Sequence, residues 1–137
     1  MIAAIIFALS VAALAEFFVS YCRSQIASAR LVPLSEDTRE LAAISSASVP
    51  ASEYLRLTQL ARACPELEEG HAGVFAVRIY FGLLTLVGGP IRQLAPVVAA
   101  LLEGERSGCA YFAAAALDRR IANSRRLYAQ QASGAGL

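Results

Sequence analysis

Apolar residues run almost unbroken from Met1 to Cys22, with Glu16 the single charge, and the mixed polar pattern of a water-soluble chain starts only at Arg23. Coiled as a helix, residues 2–22 would reach about 31 Å, which matches the hydrocarbon thickness of a bilayer. The pattern predicts a transmembrane helix. The segment RSQIASARLVPL that follows reads as its continuation past the headgroups, stopping at or before Pro33, so the anchor unit covers 1–34. Ala13-Leu14-Ala15 has the small-residue form of a signal-peptidase site. Against cleavage, no Lys or Arg precedes the apolar run, and Phe17-Phe18-Val19 carries it beyond the cut. An uncut signal-anchor is expected.

Downstream, the apolar positions recur with helical spacing and never alternate with period two for long. Ser35-Glu36-Asp37 reads as an N-cap with two acids in a first turn, opening a short helix over roughly 36–45. Ser45–Pro50 is a connector. Ser52 is placed to cap a helix over about 53–64, with Leu57, Leu60, Ala61 and Cys64 as its apolar stripe and Arg56 and Arg62 off it. Pro65 ends that helix, and 66–73 reads as a loop. Residues 74–87 are apolar nearly all round, interrupted only by Arg78 and Thr85, and Gly88-Gly89-Pro90 is expected to stop the run. A further helix is predicted over about 91–103, kinked at Pro96 or starting there and ending at Gly104. The last helix is predicted over 106–131, with residues 132–137 a disordered tail. The expected fold is all-α: a single N-terminal transmembrane helix, then a bundle domain of about four helices over 35–131.

The 74–102 stretch admits two readings. Between Arg78 and Arg92 the uninterrupted apolar run is too short to cross a bilayer, which favours a central core helix covered on all sides by its neighbours. The alternative is a re-entrant segment with its tip at the Gly-Gly-Pro break, tolerated only where protein surrounds it.

Charge and composition fix orientation and exclude classes of chemistry. Arg23, Arg30 and Arg39 follow the span and no basic side chain precedes it, so the positive-inside rule places the bundle in the cytoplasm of a cell bounded by an inner or plasma membrane. Of the 137 residues, about 115 remain for one soluble core once the span is set aside. The net charge of +1 gives no general attraction to nucleic acid. Every basic residue other than His71 is Arg, which excludes a P-loop lysine or a Schiff-base lysine. A lone His71 and three scattered cysteines, Cys22, Cys64 and Cys109, form neither a metal-ligand motif nor a disulfide framework. Glu66, Glu68 and Glu69 beside His71 lack calcium-loop spacing and read as a solvated turn. No catalytic residue, metal or cofactor is assigned, and an enzyme is not expected.

Two features remain as candidate sites. Ala4, Ala8, Ala12 and Glu16 fall at successive i+4 steps on one face of the span. Small residues there admit close helix approach in lipid, and a carboxylate on that face can pair across the contact. Arg119, Arg120, Arg125 and Arg126 spread over a broad arc of the last helix, suited to a membrane surface or an acidic partner, although arginines near a helix C-terminus are also favoured by the helix dipole. The expected role is a non-enzymatic accessory or scaffolding protein in the bilayer that docks on a larger membrane complex or on a second copy of itself. The alternatives are a tethered helical adaptor or small-ligand module, a small transport or channel component, and a cleaved, exported helical protein.

Overall fold

A computed structural model describes residues 1–41, 49–64 and 71–134, and all regular structure in them is helical. Among the described residues five α-helices follow one another: α1 (Ile2–Arg30), α2 (Glu36–Leu41), α3 (Tyr54–Ala63), α4 (His71–Leu94) and α5 (Pro96–Gly134), with a 3₁₀ turn over Ala51–Glu53 leading into α3. The all-α class expected from periodicity is the class observed.

The stops set by proline fall where backbone sterics put them. α1 ends at Arg30, with Leu31 in a closing turn ahead of Pro33. Cys64 is extended (φ −88°, ψ 150°), the conformation a residue before proline is driven into. Pro96 occupies the first position of α5, where its missing N–H belongs to an unsatisfied donor anyway. Ser35 caps α2, its hydroxyl accepting the Thr38 N–H at 3.4 Å. The remainder of the predicted 36–45 helix, the connector through Ser48 and the acidic turn lie outside the described residues, as do 135–137 at the end of the tail.

Four local expectations are corrected. Ser52 sits inside the 3₁₀ turn and does not cap α3, which has no side-chain cap. Gly73 lies within α4, not in a loop, because the helix already begins at His71. Gly88-Gly89-Pro90 does not stop α4, which continues to Leu94. Interior Gly and Pro cost about 1 and 3 kcal/mol. Here they fall near the helix end, where α4 packs against α5 and the Ile91 carbonyl still accepts from Ala95 at 2.8 Å. Gly104 likewise interrupts nothing: α5 is one helix of 39 residues.

The centre of the bundle is α5 rather than residues 74–87. Its small face, from Gly108 and Cys109 through Ala110 and Ala113–Ala115 to Leu117, is buried beneath α1, α3 and α4. A Cβ on Gly108 would lie 2.9 Å from Ile26 Cγ2 and from Arg30 Nη2, so the α1–α5 approach requires glycine there. α4 buries only one face, through Val77, Tyr80, Phe81 and Leu84, while Phe75, Ile79, Leu83 and Leu86 are exposed. The expectation of a helix covered on all sides is therefore corrected.

Contacts along α1 fix the direction of the other helices. Phe18 meets Tyr80 edge-on with centroids 6.4 Å apart, and Gly73 lies beside Gln25, so α4 runs antiparallel to α1. Arg23 pairs with Glu105, Ile26 lies against Gly108, and Tyr111 donates to the Val32 carbonyl, so α5 runs parallel to α1. The α4–α5 hairpin, which turns at Ala95, thus points toward the Met1 end of α1.

Candidate functional site

One helix passes through two environments. From Met1 to Phe17 every residue of α1 is exposed, and from Phe18 onward the same helix is built into the bundle, with Cys22, Ile26 and Ala29 buried. The apolar part has a mean hydropathy of 2.5 and none of it is buried. By length and composition α1 can cross a membrane, a property that a signal sequence near an N-terminus shares. Ala4, Ala8, Ala12 and Glu16 all lie on this exposed part, and no other described element covers them.

At the point where α1 enters the bundle, Glu105 joins three helices. It receives Arg23 Nη2 at 3.0 Å from α1 and the Tyr80 hydroxyl at 3.2 Å from α4. The ion pair is partly solvated and contributes at most about 1 kcal/mol. Its main effect is to fix the register in which α1 leaves the bundle. Below it, Tyr54 stacks on Phe81 with centroids 3.9 Å apart, and the Arg106 guanidinium lies 5.3 Å from the same Phe81 ring. Burial, the largest cause, pushes both the Tyr54 phenol and the Cys109 thiol up to about 12. The negative neighbour Glu105 adds to the effect on Cys109. Both groups are neutral across the physiological range, and Cys109 is a packing residue rather than a nucleophile.

The four arginines clustered near the C-terminal end of α5 separate into two pairs. Arg120 donates to the Ala61 carbonyl at 2.5 Å, closing the C-terminal end of α3. Arg125 pairs with Asp37 of α2. Arg119 and Arg126 are exposed. Asp118, just ahead of the cluster in sequence, accepts from the buried Thr38 hydroxyl at 2.6 Å and from Ser35. The cluster is thus largely a clamp holding α2 and α3 on α5. It begins about 21 Å beyond Glu105 along α5, on the side away from Met1.

Among the described residues, openings flank α5 at two places. One, of about 190 Å³, lies between α3, α4 and α5, with Val74, Phe75 and Phe112 in its walls and Arg62, Arg78 and Arg120 around it. The other, about 890 Å³ and open to solvent, lies between the α4–α5 hairpin and the 3₁₀ turn, with Ser52, Thr85, Arg92, Glu103 and Arg106 in its lining. Among the described residues no three His, Cys, Asp or Glu side chains are grouped to hold a metal ion. Sequence reasoning missed Glu105, Tyr80 and Asp118 as joints, since their partners are far away along the chain and leave no local pattern. The chain matches no family model, no curated protein and no solved structure.

Proposed function

We propose that this chain is a non-enzymatic accessory or scaffolding protein held in a membrane by the outer part of α1, its bundle on the cytoplasmic side, docking on a larger membrane complex or on a second copy of itself. The observation that carries this reading is the continuity of α1: an uncovered apolar rod that becomes a core helix of the bundle without a hinge. A span attached in this way transmits its position and tilt directly to the bundle. Its exposed face of Ala4, Ala8, Ala12 and Glu16 offers small residues for close packing and one carboxylate for pairing in lipid. Arg119 and Arg126, remote from the span, serve a partner on the cytoplasmic side better than they serve headgroups.

The test is purification of the tagged full chain in mild detergent, with co-purifying proteins identified and the oligomeric state measured. A stoichiometric membrane partner or a stable dimer, lost in Glu16→Leu, supports the proposal. A monodisperse monomer unaffected by that substitution overturns it. The groove bordered by Arg62, Arg78 and Arg120 favours a second reading, a tethered module that binds a small anionic amphiphile. Saturable binding of a fatty acid, abolished by Arg78→Gln, would support that reading instead.

A further inference from the structure

The α4–α5 hairpin repeats the composition of the span. Phe81–Leu102 contains one charge, Arg92, just as the apolar part of α1 contains only Glu16. The register of the three helices sets this hairpin on the same side of the Tyr80–Glu105 level as Met1–Phe17. From that level to the turn at Ala95, α4 rises about 21 Å and α5 about 14 Å, which is roughly half a bilayer. The polarity of the hairpin is arranged inside out. Thr85, Arg92, Glu103 and Arg106, with small residues such as Gly88 and Ala99, line the cleft between the hairpin and the 3₁₀ turn, whereas Leu83, Leu86, Leu94, Val97, Val98 and Leu101 are exposed outside the cleft. Leu94 is 84% exposed and Val97 75%, values that place large apolar side chains in full contact with the surroundings.

Resting on the reading that α1 lies in a bilayer, we infer that the α4–α5 hairpin dips into the same leaflet as a re-entrant element, its occupant the lipid hydrocarbon. The continuity of the two apolar surfaces at one level identifies the cover, since a bilayer entered by α1 from this side meets the hairpin tip as well. Arg92 is accommodated because it lines the solvent-open cleft, where a guanidinium keeps water and faces the wall carrying Glu103. The Gly-Gly-Pro turn of helix is admissible at that depth for the same reason, as α5 and the wet cleft supply surroundings other than lipid.

The chain has no Trp, so single substitutions report depth without background. Phe7→Trp in α1, Leu94→Trp at the hairpin tip and Leu55→Trp on α3 would each be reconstituted as the full chain in phosphatidylcholine–phosphatidylglycerol vesicles with and without brominated lipid. Circular dichroism would confirm equal helicity. The inference predicts that Leu94→Trp loses fluorescence to brominated lipid by the same fraction as Phe7→Trp, while Leu55→Trp is unaffected. Quenching at Phe7→Trp without quenching at Leu94→Trp overturns the re-entrant hairpin and leaves the anchor intact. If Leu94→Trp in that case is also shielded from aqueous iodide, a protein surface covers the tip instead. Absence of quenching at Phe7→Trp overturns the anchor, and the inference falls with it.

Discussion

The two parts of α1 share one helix, the outer apolar but for Glu16 and the inner mixed from Arg23 onward, and they are held by different forces. Ile6, in the outer part, is 59% exposed, whereas Ile26, between five and six turns later, is buried against Gly108. What separates them is not hydrophobicity but the presence of a complementary surface: the small face of α5 reaches Ile26 and stops short of Phe17. An apolar residue stabilises a fold only where something packs on it, and elsewhere it reports the solvent for which the surface was selected.

Substitution by a charge separates the two parts most sharply. Ile26→Asp buries a carboxylate in place of a packed side chain and should destabilise the bundle by at least about 3 kcal/mol, seen as loss of cooperative thermal unfolding. Ile6→Asp should leave that unfolding unchanged and instead oppose membrane insertion by about 2.5–3.5 kcal/mol, seen in a membrane-partitioning assay. Equal effects of the two on bundle unfolding would erase the distinction. Next in size is Gly108→Val. It forces α1 from α5 and should cost about 1–3 kcal/mol, despite the better helix propensity of valine over glycine. Asp118→Ala, which strips the buried Thr38 hydroxyl of its acceptor, should cost about 1–2 kcal/mol and loosen α2 first, measurable by amide exchange.

The Cys109 thiol gives a chemical version of the same comparison. Its folded value of about 12 lies above the ordinary 9.0. The stability it contributes is therefore complete below pH 9 and falls as pH rises toward 12. At pH 8 Cys109 should resist iodoacetamide until the bundle is unfolded, while the half-buried Cys64 reacts earlier. Smallest of all, Arg119→Gln and Arg126→Gln should shift stability by less than about 0.5 kcal/mol, whereas Arg120→Gln exceeds that by uncovering the Ala61 carbonyl.

The sequence made some of this legible and hid the rest for identifiable reasons. The apolar run of α1, the Leu57 stripe of α3 and the proline stops at Pro33 and Pro65 are local signals with strong local causes, and of the two readings left open at Pro96, a kink or a helix start, the start is the one observed. Gly88-Gly89-Pro90 and Gly104 misled because helix propensity is a weak force beside the packing of α4 on α5. The alanine face of α5 carries little hydropathy, so the central helix looked peripheral and the more apolar α4 looked central. Of the candidate sites, the Ala4–Glu16 face could be read directly, since an exposed helix obeys its own periodicity. The role of Arg120 and Arg125 as clamps could not, because Ala61 and Asp37 come into reach only when α2 and α3 settle on α5.

The central claim, that α1 holds the bundle to a membrane as an uncut anchor, is tested most directly by alkaline carbonate extraction of cells expressing the full chain, with the N-terminal sequence of the recovered protein read by mass spectrometry. The account predicts a chain retained in the membrane pellet with Ile2–Ala15 still attached. A soluble chain beginning at Glu16 would contradict it.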